Sequence, residues 1–357
     1  MKPTRFGMAA RLTVIVAAAA MVASAGYRLS AKDDDDRRDD RDGDSYTIGL
    51  FGDMPYNALG RQQYPALLED LNRSHLAFSV FDGDLKSGGD GPCSDSLYTT
   101  ALDNLNSLDR PLIVVPGDND WTDCWGRYGT STLPYSDPEE RLNFERVLFF
   151  STDRSLGRQT LRLTRQTADG YPENVRWKLG PVVYLGLNVQ GSNDNYAYHD
   201  TETGAGVPVR SDAEIQRQRD EEKARKAADI RWLHEGFEYA DRVHARGVMI
   251  IWQADLNFNN EQHLTNPHDY DALADYADAL RSETEAFAGQ VALVHGDSHY
   301  FKTDKPLNRT TGGGVLGNFT RVETFGARNT HWVSARIDAR DPNLFVFEPR
   351  IVAANAQ

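Results

Sequence analysis

Positive charge is in short supply in this chain. It has 39 Lys and Arg against 53 Asp and Glu, a formal net charge of −14. Residues 1–31 carry +4 and residues 32–44 carry −4, so the remainder keeps the whole −14. Such a surface repels polyanions, and no basic stripe interrupts it. A nucleic-acid partner held through its phosphates is therefore disfavoured. Long apolar runs are missing too, and no segment after the N-terminal one is apolar for long enough to cross a bilayer. No internal repeat is found, and nothing after Asp44 has linker composition, so one domain is expected over 45–357. Cysteine is limited to Cys93 and Cys124. What the chain does have is a hydrophobic share of 40% and an aromatic share of 10%, enough for a proper core.

The N-terminus has the layout of an export signal. Lys2, Arg5 and Arg11 form a basic stretch, Leu12–Val22 an apolar core, and Ala23-Ser24-Ala25 a small-residue cleavage site. An uncleaved membrane anchor is the alternative. Cleavage would remove residues 1–25 and leave a periplasmic or secreted protein with no further membrane attachment. Residues 26–44 end in Lys32–Asp44, which has no apolar residue and is expected to be a solvated acidic linker rather than a calcium site. In an oxidising compartment an even cysteine pair favours a Cys93–Cys124 disulfide over two buried thiols. Closing a loop of ~30 residues contributes roughly 3 kcal/mol in the chain-entropy view.

From Tyr46 apolar runs alternate with helical periodicity. A strand ends at Asp53, and Tyr64–Ser74 is helical. Ala77–Phe81 is a strand, Asp95–Leu108 a helix, and Leu112–Val115 a strand. This β-α-β-α-β order predicts parallel strands with crossover helices. Pro138–Phe150 reads as a helix, Val175–Leu179 and Val182–Asn188 as neighbouring strands, and Gly204–Val209 as a connecting loop. Ser211–Arg246 is the longest helical stretch. It has capping-box spacing at Ser211 and Glu214, Gly247 as its stop, and a first half charged enough to project into solvent. Strand Val248–Trp252, helix Asp269–Phe287 and strand Val291–Val294 follow. Phe319–Phe325, His331–Ile337 and Leu344–Phe347 close the chain as short β-runs.

Four of the apolar runs end in Gly-Asp: Gly52-Asp53, Gly83-Asp84, Gly117-Asp118 and Gly296-Asp297. Glycine there lets the backbone turn sharply and aims the carboxylate across the strand edge, where open α/β sheets gather ligands. Four carboxylates brought together repel one another unless a cation sits among them.

The order and spacing of these motifs over Tyr46–Phe301 resemble the calcineurin-like metallophosphoesterases. The likeness is strongest to a secreted bacterial branch with Gly-Asp-x-Pro-Tyr, Gly-Asp-Asn-Asp/Glu-Trp-Thr-Asp-Cys and His-Gly-Asp-x-His. The resemblance implies a four-layer α-β-β-α sandwich with mixed sheets and an oxygen-rich binuclear site. Phosphate esters would be hydrolysed there by attack of a metal-bound hydroxide on a small phosphorylated substrate. By the same likeness Asp53, Asp84 and His299 hold one metal, and Asp84, Asp118, Asp297 and Gln253 the other. Asn119 and Asp120 take the catalytic places. The chain departs from the family pattern by carrying Pro55, Asn119, Gln253 and Asp297 where the family has histidine. The harder donors favour one or two Mn²⁺, Mg²⁺ or Ca²⁺ ions over Zn²⁺ or iron. Asn119 cannot protonate a leaving group, so activated aryl phosphates are expected to react faster than alkyl ones. The alternative function is a non-catalytic member of the fold that binds a metal or a phosphorylated ligand.

Several residues outside the motifs carry weaker expectations. Asn193 and Asn195 are possible phosphate contacts. Tyr56 is read as a packed aromatic rather than a ligand, and His295 and His331 as core histidines. Asp255 is placed either behind a metal ligand or in a turn.

Overall fold

Parallel strands whose C-terminal ends carry acidic turns determine this architecture. The computed structural model describes residues 45–88, 92–125, 137–197, 210–258 and 270–356. The expected signal segment 1–25, the linker 26–44 and the loop Gly204–Val209 lie outside the described residues. Among the described residues no helix is long and apolar enough to cross a membrane.

Strand β1 (Ser45–Phe51) leads through helix α1 (Ala58–Arg73) to β2 (Ser79–Phe81), then through α2 (Asp95–Leu105) to β3 (Leu112–Val114). These three strands are parallel, as the β-α-β-α-β order requires. Strands β11 (Trp332–Asp338) and β12 (Phe345–Arg350) extend the sheet antiparallel, in the order β12-β11-β1-β2-β3. Asn57 caps α1 by accepting from the Gly60 N–H at 2.9 Å, a contact of about 1 kcal/mol. The helix then turns Tyr64, Leu67, Leu68 and Leu71 onto the sheet.

The second sheet runs β4 (Thr164–Gln166), β5 (Tyr171–Leu179), β6 (Val182–Gly186), β7 (Gly247–Ile251), β8 (Gln290–His295), β10 (Phe319–Glu323), β9 (Lys302–Asp304). Its centre, β6 to β7 to β8 to β10, is parallel. Strands β4 and β9 were not expected from sequence, since three residues are too few to show a period.

Three apolar clusters give the layers. Ile48, Val80 and Val333 of the first sheet pack against Val182, Ile251 and Val294 of the second. The outer face of the first sheet is covered by α1, α2 and α3 (Pro138–Phe149) through Leu71, Leu105 and Phe149. The short α4 (Gly191–Asp194) follows β6, and the outer face of the second sheet is covered by α5 (Asp212–Arg242) and α6 (Ala274–Ala286) through Leu233, Phe237 and Leu280. The order is helices, sheet, sheet, helices: a four-layer α-β-β-α sandwich with mixed sheets. Each fully buried aliphatic side chain contributes roughly 1.5–3 kcal/mol.

Two sequence expectations need correcting here. The first half of α5 does not project into solvent: Gln218, Glu222 and Arg225 are buried. Charge pairing offsets the cost of their burial, with Arg225 bonded to Asp194 and Glu221, and Lys226 to Glu222. Gly247 does not stop that helix, which ends at Arg242. Gly247 instead opens β7, where a Cβ would lie 2.3 Å from Leu344 Cδ2 and 2.8 Å from Phe345 Cζ. The Ser211–Glu214 capping box is present.

Candidate active site

The C-terminal ends of β1, β2 and β3 in one sheet meet those of β6, β7 and β8 in the other, and hydrogen bonds join the two sets. Asp53 follows β1, Asp84 follows β2 and Asp118 follows β3. Gly191 and Ser192 follow β6, Gln253 follows β7, and Asp297 and His299 follow β8. Of the two acids after β2, Asp82 turns away into the inter-sheet layer, where the Thr324 hydroxyl donates to it at 2.8 Å.

The glycines serve these turns differently from the sequence expectation. In three of the motifs the left-handed residue is an acid: Asp53 has φ +52°, Asp84 +67° and Asp297 +76°. Of the preceding glycines only Gly83 has positive φ, at +104°. Gly117 and Gly296 are needed for space. A Cβ at Gly296 would stand 2.1 Å from Asp53 Oδ2, and one at Gly117 would stand 2.1 Å from Asp84 Oδ1. Each glycine makes room for the carboxylate of another strand.

Asp53 is fully buried. The Asp297 backbone N–H donates to its two oxygens at 3.2 and 3.1 Å, and His299 Nε2 lies 3.2 Å from Oδ1. Tyr56 sits at the centre of the group. Its hydroxyl donates to Asp84 Oδ2 at 2.5 Å and lies 3.1 Å from Asp53 Oδ1, and its ring stands edge-on to His299 at 5.1 Å. Asp84 also accepts from the Asn119 backbone N–H at 3.0 Å and from Asn119 Nδ2 at 2.5 Å. Asp120, expected among the catalytic residues, has its carboxylate turned into the backbone. It accepts from the N–H groups of Asp84 (2.9 Å), Leu85 (2.6 Å) and Gly117 (2.8 Å), tying the β2 and β3 turns together.

Asp118 faces the second sheet. Gln253 Nε2 donates to its Oδ1 at 3.2 Å, and the Ser192 hydroxyl lies 2.8 Å from its Oδ2. Gln253 Oε1 accepts the Gly191 N–H at 2.6 Å. The amide therefore offers Asp118 its nitrogen and has its oxygen engaged by the backbone. Asp118 and Asp297 both face Gly191, whose Cβ would stand 2.8 Å from the first and 3.0 Å from the second.

The electrostatics follow from so many acids in so little water. Burial pushes the Asp84 carboxyl well above the usual range, and the charges of Asp118, Asp53 and Asp120 add to the push. Asp118 is raised the same way, by burial and then by Asp123 and Asp297. Asp297 is raised to about 7 by burial and by Asp53. Asp120 reaches about 6, burial being partly offset by the amides it accepts from. For His299, burial pulls downward, but its hydrogen bond and attraction to Asp53 outweigh that and hold it above the ordinary histidine value. Lys86 is buried and lowered by burial, with Asp120 and Asp84 pulling it back upward.

Among the described residues no group of three or more His, Cys, Asp or Glu side chains stands in ready-made metal-ligand geometry. The donor set nevertheless fits a hard divalent cation. The Ser192 hydroxyl lies 2.8 Å from Asp118 and 2.8 Å from Asp123, yet it has one proton to give. Asp118 and Asp123 share that one hydroxyl proton, and carboxylates held this close are stabilised by protons or a cation.

The two asparagines expected to contact phosphate are used elsewhere. Asn193 accepts from the Ala272 N–H at 3.0 Å, and Asn195 Nδ2 donates to Glu221 at 2.8 Å. The residue of that loop that reaches the acids is Ser192, which nothing in its polar surroundings singled out. Sequence reasoning also missed Lys86 and gave Tyr56 only a packing role. The Asp53-x-x-Tyr56 spacing was the available signal. His295 is buried with Nδ1 2.9 Å from its neighbour's carbonyl, and His331 is packed edge-on against Phe325. Asp255 lies in a turn, its carboxylate accepting from the Asn257 N–H at 2.9 Å, and its own N–H donates to Asp297 at 3.3 Å.

The layered arrangement, helices, sheet, sheet, helices, with acidic turns along one shared edge is the one the sequence resemblance implies. No model of a known protein family matches the sequence, and no curated protein is similar to it at the sequence level. Among solved structures, the chain is similar to one titled "Structure of PhoD", with 8% identity, TM-score 0.48, and 86% of this chain and 68% of that one covered. It is also similar to GAP50, the anchor in the inner membrane complex of Plasmodium, with 8% identity, TM-score 0.44 and coverage of 86% and 89%. A third is Vacuolar Protein Sorting 29 from Cryptosporidium parvum, with 8% identity, TM-score 0.29 and coverage of 86% and 97%.

Proposed function

We propose that this chain is an exported, metal-dependent phosphoesterase acting on small phosphorylated substrates. The observation that carries the reading is the meeting of Asp53, Asp84, Asp118, Asp297 and His299 at one edge, where burial and neighbouring acids raise the carboxyls of Asp84, Asp118 and Asp297. Asp53, Asp84 and His299 would hold one cation, and Asp84, Asp118 and Asp297 a second. Divalent cations bound there would neutralise phosphoryl oxygens and activate water.

The chain's own residues do the rest. Asp120 holds the Asp84 and Asp118 turns in register through three backbone N–H groups. Gln253 orients Asp118 and the Gly191 turn together. Asn119 carries an amide that can donate a hydrogen bond but not transfer a proton to a departing oxygen. The leaving group must therefore depart as its own anion, which favours aryl over alkyl esters. The Cys93–Cys124 bridge fits the oxidising compartment that the N-terminal signal implies.

A second reading, a non-catalytic protein that binds a metal or a phosphorylated ligand, draws on one contact. Asn119 Nδ2 and the Tyr56 hydroxyl both occupy Asp84 Oδ2, at 2.5 Å each. One experiment separates the two readings. The mature protein is stripped, reloaded with Mn²⁺, Mg²⁺, Ca²⁺ or Zn²⁺, and assayed on nitrophenyl mono- and diesters beside Asp84→Ala. Hydrolysis by the wild type well above the variant supports the enzyme. Equal rates under every metal, with metal still bound, leave the binding protein.

A further inference from the structure

Among the described residues the loop after β6 holds the longest run of positive-φ backbone. Ser192, Asn193, Asp194 and Asn195 have φ of +49°, +53°, +55° and +67°, a full turn of left-handed helix without one glycine among them. Left-handed helical backbone costs on the order of 1 kcal/mol per residue, less for Asn and Asp. It persists only where its surroundings over-determine it.

Asn193 and Asn195 are anchored to Ala272 and Glu221, and Asp194, between them, is held by Arg225 of α5. The guanidinium is fully buried. It donates to Asp194 Oδ1 at 2.7 Å and to the Asp194 carbonyl at 2.8 Å, gripping one residue of the turn by side chain and backbone at once. It also donates to the Asn188 carbonyl at 2.8 Å, where the chain leaves β6, and to Glu221 at 2.8 Å. Its plane lies 5.2 Å from the ring of Trp121, which directly follows Asp120. The Tyr276 hydroxyl lies 3.2 Å from the other Asp194 oxygen and 3.0 Å from Asp229. At the far side of the same turn the Ser192 hydroxyl reaches Asp118 and Asp123, and the Gly191 N–H reaches Gln253.

We propose that Arg225 is a positioning residue for the cation site: by clamping Asp194 it fixes the left-handed turn that delivers the Ser192 hydroxyl to Asp118. The inference rests on the cation-dependent site of the proposed function and assigns Ser192 to that site's hydrogen-bonding shell. Arginine is required because a single planar fork must grip the carboxylate and carbonyl of one residue together, which an ammonium cannot do. Residues that orient a metal ligand through hydrogen bonds typically matter about 10–100-fold in affinity.

The test is a double-mutant cycle on the whole mature protein, read by calorimetric titration with Mn²⁺ alone and by kcat and KM on p-nitrophenyl phosphate. Arg225→Lys keeps the charge and the fold, which circular dichroism verifies, and Arg225→Met removes both fork and charge. Ser192→Ala removes the hydroxyl at the other end of the turn. Arg225→Lys and Ser192→Ala are each expected to weaken Mn²⁺ binding about tenfold or more. The double variant should be little worse than Ser192→Ala, because Arg225 acts through Ser192. Hydrogen exchange at 190–195 should quicken in both Arg225 variants and not in Ser192→Ala. Unchanged Mn²⁺ affinity in a folded Arg225→Lys, or effects that simply add, overturns the inference. A wild type that binds Mn²⁺ but hydrolyses nothing defeats the enzyme reading alone, and the affinity cycle still decides this one. A wild type that binds no Mn²⁺ overturns both.

Discussion

The backbone N–H of Asp297 donates to both oxygens of the Asp53 carboxylate, at 3.2 and 3.1 Å, across 244 residues of chain and between two different sheets. The contact joins the end of β8 to the end of β1, and it requires glycine at position 296, where a Cβ would strike that carboxylate. Replacing Asp53 by Asn keeps the shape and removes the charge. Asp53→Asn should fold normally and lose Mn²⁺ affinity by about tenfold or more, the scale expected when a carboxylate near a metal is neutralised. Calorimetric titration beside a thermal melt measures both.

A Gly296→Ala variant tests the spacing argument directly. The added methyl needs space that Asp53 Oδ2 fills, 2.1 Å from the Cβ position. Overpacking of this kind typically costs about 1–3 kcal/mol. A melting temperature several degrees below wild type is expected. An unchanged melt would mean that the two strand ends are not pressed together as described.

Asn119 gives a prediction about chemistry. Asn119→His puts a group able to transfer a proton where the amide now bonds Asp84. General acid assistance is typically worth about 10²-fold or more on poor leaving groups and little on good ones. The ratio of kcat/KM for p-nitrophenyl phosphate to that for an alkyl monoester should therefore fall in the variant. A ratio that stays the same speaks against leaving-group protonation as the missing step.

The pH dependence of the metal-free protein follows from Asp297, raised to about 7 by burial and the nearby Asp53 charge. The folded form binds this proton more tightly than the unfolded chain, whose aspartates titrate near 3.9. That stabilisation is complete below about pH 4 and is lost as the pH rises through about 7. In EDTA, Asp297→Asn should melt higher than wild type at pH 8 and close to it at pH 4. Mn²⁺ should narrow the gap at pH 8 by stabilising the wild type. Melting curves across pH give the answer.

The bridge between Cys93 and Cys124, 31 residues apart, ties the loop after β2 to the turn after β3. The Tyr98 hydroxyl donates to the Asp120 carbonyl at 2.5 Å beside it. Removing the pair as Cys93→Ser/Cys124→Ser should cost roughly 3 kcal/mol, a drop of about 5 °C in a domain of this size. A reductant should lower the wild-type melt in the same way and leave the variant alone.

The layered fold was legible because its signals are local. Runs such as Leu112–Val114 and Gln290–His295 are apolar and end in turns, and Ser211 with Glu214 announces its helix. The division into two sheets and their strand order depend on pairings far apart in sequence, such as β1 with β11. The strand-end acids could be read from their repeated Gly-Asp setting. Ser192 and Arg225 could not: a serine in an Asn-rich loop and an arginine in a charged helix look ordinary until the fold brings them to the same turn. The charged start of α5 misled for that reason, since its partners, Asp194 among them, lie on other elements.

Anomalous diffraction at the manganese edge, from crystals of the mature protein grown with Mn²⁺, tests the central claim most directly. At least one peak is expected about 2.1–2.6 Å from an Asp84 oxygen and shared with Asp53 or Asp118, with the Tyr56 and Asn119 contacts to Asp84 lengthened. Manganese bound elsewhere, with the Asp84 hydrogen bonds intact at saturating metal, would contradict it.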